Sequence, residues 1–125
     1  MENKKIILAV DDMASNLRTI KVILEKTFDV RLAKSGQIAL SVLAEEKVAL
    51  ILLDIQMPGM SGFEFIETVK KNPDTKDIPV IFITSHSDLE LVREASKFGI
   101  KDYVLKPVTP EKLEKRVHAA LNYTL

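Results

Sequence analysis

Short runs of β-branched and aliphatic residues alternate with longer stretches in which apolar residues recur every three or four positions. Five runs have the composition of β-strands: residues 6–10, 30–33, 49–53, 80–84 and 103–105. In two of them, residues 50–53 and 80–83, consecutive positions are apolar, which is typical of a strand covered on both faces. The pattern therefore predicts a parallel sheet with helices on both sides.

Helical spacing follows each of these runs. The five predicted apolar stripes contain Leu17, Ile20 and Leu24; Ala39, Val42 and Leu43; Phe63, Ile66 and Val69; Leu89, Val92 and Ala95; and Leu113, Val117 and Leu121. Ser61 with Glu64 matches the capping box that begins a helix, and so does Ser87 with Glu90. Gly99 matches a helix stop.

Alternating strands and helices with short connections favour right-handed crossovers. The predicted fold class is therefore α/β, a doubly wound sandwich around a five-stranded parallel sheet. At 125 residues the chain is expected to form a single domain over residues 1–125.

Composition and charge exclude several classes of function. Eighteen basic and eighteen acidic residues give a net charge of +0, without the basic excess that nucleic-acid backbones attract, so no direct nucleic-acid partner is expected. The absence of cysteine excludes disulfides, thiolate metal sites and a cysteine nucleophile. The apolar runs are far shorter than the roughly 20 residues of a membrane span, and the polar first residues do not resemble a signal peptide. We therefore expect a cytoplasmic protein that does not bind membranes.

Chemically capable side chains follow the predicted strands. In parallel α/β sheets ligands bind beyond the carboxyl ends of the strands, and the residues found there are Asp11, Asp12, Asp54, Thr84 and Lys106. Carboxylates are the ligands that Mg²⁺ prefers, whereas a hydroxyl and an ammonium group can bind phosphoryl oxygens. An aspartate that attacks phosphorus gives an acyl phosphate. The set predicts a magnesium-dependent phosphoryl site.

Each of these residues also has a purely structural interpretation. Asp11 and Asp12 match turn residues or a helix cap, and Asp54 could cap a loop. Thr84 could be an ordinary strand-end hydroxyl, and Lys106 a solvated loop residue. The conjunction of all five at one edge of the sheet favours the functional interpretation.

Four motifs extend this pattern over most of the chain: Val10-Asp11-Asp12, residues 53–62 (LDIQMPGMSG), Ile83-Thr84-Ser85, and residues 102–107 (DYVLKP). With these motifs the sequence resembles the receiver domain of two-component response regulators, from Ile6 to about Leu121. The resemblance implies a CheY-like, flavodoxin-like (βα)5 fold with strand order 2-1-3-4-5. Ser61 departs from the aspartate of many members, but either side chain can cap the following helix.

The same resemblance implies the roles of the site residues. It makes Asp54 the phosphoacceptor and Lys106 the lysine that binds the phosphoryl group. It places a Mg²⁺ cofactor among Asp11, Asp12, Asp54 and the carbonyl of Gln56.

Further roles implied by the resemblance concern signalling. Thr84 is the expected switch hydroxyl and Tyr103 the expected switch aromatic residue. Gln56 and His86 are expected to flank the path of the hydrolytic water and to tune dephosphorylation.

The expected function is a phosphorylation-activated switch. A histidine kinase or histidine phosphotransfer protein would donate the phosphoryl group, and the surface of the fourth helix, fifth strand and fifth helix would then control a downstream protein or output domain. Beyond its own phosphotransfer and dephosphorylation no enzymatic activity is expected, and a phosphorylation-dependent dimer is left open.

Several alternatives remain beside this function. The chain could be a receiver excised from a longer hybrid kinase or cyclic-dinucleotide enzyme, for which Asn16 is a weak indication, or a phosphorylation-independent scaffold. An aspartyl-phosphate phosphatase would need an acid where Gln56 stands. A flavin mononucleotide binder would need a hydroxyl- and glycine-rich loop where Asp11 and Asp12 stand, and these carboxylates would repel a phosphate.

Overall fold

A computed structural model describes residues 4–55, 61–100 and 102–122. The strands are β1 (Ile6–Val10), β2 (Asp29–Ala33), β3 (Val48–Asp54), β4 (Val80–Thr84) and β5 (Tyr103–Leu105). The α-helices are α1 (Ala14–Leu24), α2 (Gly36–Glu45), α3 (Gly62–Lys71), α4 (Leu89–Ala95) and α5 (Pro110–Leu121), with 3₁₀ turns over His86–Asp88 and Ser96–Phe98. Within the described ranges, none of the helices has both the length and the hydrophobicity that a bilayer crossing requires.

The five strands form one parallel sheet in the order β2-β1-β3-β4-β5. This confirms the predicted fold class and strand order. Two strands begin one residue earlier than the sequence predicts, because Asp29 and Val48 both pair with Ile6 of β1. Asp54 is the last residue of β3 and not the first residue after it, since it pairs with Ile83 of β4.

Each face of the sheet has its own hydrophobic cluster. Alternate residues of β3 point to opposite sides, so that Ile51 and Leu53 join the cluster beneath α2, α3 and α4, whereas Leu50 and Leu52 join the cluster beneath α1 and α5. All four side chains are at most 1% exposed. The consecutive apolar positions therefore correspond to a strand covered on both faces, as predicted.

The predicted start of α3 is confirmed, whereas the predicted start of α4 is wrong. Ser61 and Glu64 form both hydrogen bonds of a capping box. Ser87 does not cap a helix: it lies inside the 3₁₀ turn, and its hydroxyl is 2.9 Å from that of Ser85. Glu90 instead pairs with Arg93, one helical turn further on.

The turn that precedes α4 has a local cause. The Asp88 N–H donates to the carbonyl of Ser85, and the Ser85 hydroxyl donates to the Asp88 carboxylate at 3.0 Å. These bonds close the chain over three residues before helical spacing begins. At the other end of this segment Gly99 adopts a φ of 83°, which confirms the predicted stop.

Gly62 allows α3 to begin directly against the end of β3. A Cβ atom built at this position would lie 2.9 Å from the backbone carbonyl oxygen of Ile55 and 3.2 Å from its Cα. Because the contacting atoms belong to the backbone, the clash could be relieved only by moving the main chain. Glycine at residue 62 thus allows the first turn of α3 to lie directly against the backbone of Ile55.

We expect Gly62→Ala to lower the free energy of unfolding by about 1–3 kcal/mol, because the added methyl group overpacks a contact between backbones. Urea denaturation followed by circular dichroism would measure the change. Thr68→Ala is a matched control on the exposed side of α3, and it should change stability by less than about 0.5 kcal/mol. Equal effects of the two substitutions would contradict the close-approach explanation.

Candidate functional site

Backbone hydrogen bonds join the carboxyl ends of neighbouring strands and position Asp11 and Lys106 relative to the sheet. The Asp11 N–H donates to the carbonyl of Ala33 at 3.1 Å, so the chain leaving β1 stays paired with the end of β2. The Lys106 N–H donates to the carbonyl of Thr84 at 2.7 Å. Residues from four strands are therefore held at one edge of the sheet.

Three carboxylates converge at this edge. Asp11, Asp12 and Asp54 each offer a carboxylate oxygen, and these oxygens all lie within 4.8 Å of one another. Asp11 and Asp54 are buried, with 1% and 5% of their surface exposed, whereas Asp12 is exposed. The cluster is thus open to solvent on the side of Asp12 and closed beneath.

A cluster of this kind attracts cations. Two like charges 4 Å apart repel by about 4 kcal/mol at an effective dielectric constant of about 20. The charge of one lysine offsets one of the three carboxylates and leaves an excess of negative charge. Three hard oxygen donors fit Mg²⁺, which takes carboxylate ligands and keeps several waters.

Among the described residues, Lys106 is the cation that pairs with this cluster. Its Nζ lies 3.6 Å from Oδ1 of Asp54, which is the distance of an ion pair and too long for a direct hydrogen bond. The lysine side chain is 32% exposed and the aspartate side chain 6%. The ammonium group can therefore follow a negative charge that is added to the carboxylate. The Lys106–Pro107 peptide bond is cis.

Asp11 is held by two donors that the sequence did not reveal. The backbone N–H of Met13 donates to Oδ1 at 2.9 Å, and the side-chain amide of Asn16 donates to Oδ2 at 3.0 Å. The Asn16 contact spans five residues and depends on the direction in which α1 leaves the sheet. Its only sequence signal is the position of Asn16 in the first turn of a predicted helix.

Thr84 ends β4 with a fully buried side chain, and its hydroxyl donates to the carbonyl of Ser85 at 3.2 Å. Tyr103 pairs with Phe82 in the sheet and packs, half-buried, against the cluster beneath α2, α3 and α4. Because Thr84 lies two residues after Phe82, Thr84 and Tyr103 share one face of the sheet on neighbouring strands.

Tyr103 also lies between two surface cavities. One, of about 270 Å³, is formed with α4 and is lined by Leu89, Val92, Arg93, Ser96 and Tyr103. The other, of about 520 Å³, is formed with α5 and is lined by Tyr103, Val104, Leu105, Lys112, Lys115, Arg116 and Ala119. The ring therefore has space on either side of its strand.

The two residues predicted to tune dephosphorylation have different standing. His86 is exposed and begins the 3₁₀ turn that follows Ser85. Gln56 lies outside the described residues, as do its expected carbonyl contact with Mg²⁺ and the four residues after it. The structure thus brings together the three aspartates and Lys106, and it connects Thr84 to Lys106 through the backbone.

Comparison with known families agrees with this geometry. The family described as the response regulator receiver domain matches residues 7–118, which include β2 to β5, all but the first residue of β1 and all but the last turn of α5. This chain belongs to the response regulator receiver domain family. Members of this family are regulatory modules of two-component systems.

The relatives of this receiver domain have several kinds of output. It is 44% identical to a probable cyclic di-GMP phosphodiesterase of Vibrio cholerae, over 92% of this chain and 26% of that protein. It is 36% identical to the phosphate regulon transcriptional regulatory protein PhoB of Pseudomonas aeruginosa, over 96% of this chain and 53% of that protein. The receiver domain thus spans about a quarter to a half of the length of these two curated relatives.

Solved structures show the same fold. The chemotaxis response regulator CheY4 of Vibrio cholerae superposes with a TM-score of 0.87 at 29% identity, covering 95% of this chain and all of that one. The signal receiver domain of a histidine kinase from Syntrophus aciditrophicus gives a TM-score of 0.83 at 31% identity, covering 94% and 90% of the two chains.

Proposed function

We propose that this receiver domain is a phosphorylation-activated switch in which Asp54 accepts the phosphoryl group. The observation that carries the proposal is the convergence at the sheet edge, where oxygens of Asp11, Asp12 and Asp54 lie within 4.8 Å and Lys106 lies 3.6 Å from Asp54. Asp54 belongs both to the carboxylate cluster and to the ion pair with Lys106.

The donor is a histidine kinase or a histidine phosphotransfer protein. A carboxylate oxygen of Asp54 forms a bond to phosphorus while the phosphorus–nitrogen bond of the donor phosphohistidine breaks. The electron pair of that bond stays on the imidazole nitrogen. There is little further covalent chemistry, so the protein contributes mainly position and charge.

Mg²⁺ is the proposed cofactor, held by Asp12, Asp54 and the Gln56 carbonyl, with Asp11 orienting a coordinated water. When bound, it neutralises negative charge on the transferred phosphoryl oxygens. Lys106 neutralises part of the same charge, since phosphorylation adds about −1.5 to −2 charges to the site.

Signalling follows from the competition for one hydroxyl. Thr84 donates to the carbonyl of Ser85 in this structure, and a phosphoryl group on Asp54 offers it stronger acceptors. Movement of Thr84 frees space beside Tyr103 on the same face of the sheet. The phosphoryl group thereby biases an existing equilibrium between two arrangements of the α4, β5 and α5 surface.

The role of the whole protein is also a proposal. A single receiver domain over residues 1–125 would act either alone on a downstream protein or as the input module of a longer chain. The similarity to a probable cyclic di-GMP phosphodiesterase favours control of an enzymatic output domain over a phosphorylation-independent scaffold. A cytoplasmic location and a phosphorylation-dependent dimer stay predictions.

The acceptor is tested by covalent labelling. Incubation with Mg²⁺ and acetyl phosphate should add the mass of one phosphoryl group, and Asp54→Asn should abolish this addition because an amide is not a nucleophile toward phosphorus. Asp77→Asn, at an exposed aspartate outside the site, should be labelled like the parent. Modification of Asp54→Asn at another carboxylate would reject the assignment.

The coupling role of Thr84 is tested by separating labelling from its structural response. Thr84→Ala should still accept phosphate but lose most of the change that beryllofluoride induces in the amide chemical shifts of β5 and α4. Thr84→Ser retains the hydroxyl and should keep the response. A full response in Thr84→Ala would show that the hydroxyl does not carry the signal.

The lifetime of the signal is tested by the decay of phospho-Asp54. We expect His86→Ala and Gln56→Ala to change the decay rate several-fold, because both side chains are proposed to flank the path of the attacking water. Mg²⁺ affinity and the labelled fraction at saturation should not change for His86→Ala. Parent-like decay in both variants would mean that neither residue gates the water.

A further inference from the structure

Asn16 forms the side-chain contact that joins α1 to the acidic cluster. Its Nδ2 donates to Oδ2 of Asp11 at 3.0 Å, while the Met13 N–H donates to Oδ1 at 2.9 Å. Asp11 is 1% exposed, so these two donors act on a carboxylate that is shielded from bulk water. Both oxygens are thus held in a fixed orientation, and each retains capacity to accept another hydrogen bond.

The chemical nature of this donor matters. The cluster already holds three carboxylates and has Lys106 as its cation. A lysine in place of Asn16 would add positive charge and compete with a bound metal ion, and an acid would add repulsion. A neutral amide is able to orient Asp11 without changing the charge that attracts the cation.

The helix fixes the position of the amide. Asn16 is the third residue of α1, and its N–H donates to the carbonyl of Met13 at 3.1 Å. Leu17 and Ile20, which are 3% and 2% exposed, anchor the same helix to the sheet. The amide therefore has a defined height above the end of β1 and does not depend on a mobile loop.

Asn16 also borders a cavity between α1 and the segment that follows β5. Together with Thr19, Lys106, Pro107 and Val108 it lines a cavity of about 470 Å³. The side chain of Asn16 is half-buried. Asn16 therefore contacts the buried Asp11 and also reaches a surface cavity that it shares with Lys106.

We propose that Asn16 is a positioning residue of the metal site, which sets the affinity for Mg²⁺ by holding Asp11 in the orientation that binds a coordinated water. The inference rests on the proposed function only in taking Mg²⁺ as the cofactor. Groups that orient the ligands of a metal site typically change its affinity when they are removed.

The test is a Mg²⁺ titration of the unphosphorylated protein by calorimetry. We expect Asn16→Ala to weaken binding roughly tenfold, at the lower end of the range for residues that orient metal ligands. The helix should be retained, because alanine has a higher helix propensity than asparagine. Asn16→Gln keeps an amide donor on a longer side chain and should recover part of the affinity.

Thr19→Ala is the matched control. Thr19 lies one turn further along α1 and lines the same cavity, but its hydroxyl donates to the carbonyl of Ser15 within the helix. This variant should bind Mg²⁺ like the parent. Asp12→Ala, which removes a proposed direct ligand, should weaken binding more than Asn16→Ala.

A spectroscopic measurement separates positioning from a general structural role. The side-chain amide resonances of Asn16 should shift as Mg²⁺ saturates the parent and Thr19→Ala, because the amide is bonded to a carboxylate of the site. Parent-like Mg²⁺ affinity in Asn16→Ala, or an Asn16 amide that does not respond to Mg²⁺, would overturn the inference. The two failures are distinguishable. If the parent is labelled at Asp54, the proposed function stands even when the inference about Asn16 is overturned. If the parent is not labelled, the proposed function fails, but the effect of Asn16→Ala on Mg²⁺ affinity is still measured.

Discussion

The mutual repulsion of three carboxylates is the constraint to which the rest of this structure responds. Asp11, Asp12 and Asp54 come from two neighbouring strands, and their oxygens lie within 4.8 Å. A flexible chain would separate these charges at almost no cost. The folded chain holds them together because the strand ends that carry them belong to one hydrogen-bonded sheet with hydrophobic clusters on both faces. The stability of the core thereby maintains an electrostatic arrangement that is unfavourable until a cation binds.

The residues of the site differ in burial and therefore in how rigidly they are held. Asp11 is almost completely buried and is held by the Met13 N–H and the Asn16 amide. Asp12 is exposed, so its carboxylate is accessible from solvent. Lys106 is paired at 3.6 Å and about one third exposed, so it can move toward new negative charge. The same site thus contains a rigid base and a more adaptable rim.

The strand next to Asp54 connects the site to the loop before α4. The Thr84 hydroxyl is buried and bonded to the following carbonyl, and the Ser85 hydroxyl in turn binds Asp88 at the start of α4. A change at Thr84 therefore reaches the loop before α4 through backbone and side chain together. Tyr103 lies on the same face as Thr84, between cavities formed with α4 and α5. These cavities leave room for the Tyr103 side chain to move, and such a movement would alter the surface of α4, β5 and α5.

Local sequence was sufficient wherever the determining interaction is short in range or repeats with a fixed period. The apolar runs at residues 50–53 and 80–83 determine strands covered on both sides, and the alternation with helical spacing determines a doubly wound parallel sheet. The capping box of Ser61 and Glu64 is also local, since both partners lie within one turn of α3. The candidate site was predictable for a related reason: the residues that follow parallel strands must meet at one edge of the sheet.

Tertiary structure decided what depends on direction and on competing partners. Ser87 and Glu90 have the spacing of a capping box. Ser85 and Asp88 are hydrogen-bonded to each other instead, and they close a 3₁₀ turn that contains Ser87. In α3 the period suggested Phe63, which packs half-buried against the core, and it missed Phe65, which is completely buried. The bond between Asn16 and Asp11 could not be found from spacing alone, since its length depends on the path of α1 away from β1. The sequence by itself therefore determined the fold and the composition of the site, and only the packed chain decided which neutral group orients its buried carboxylate.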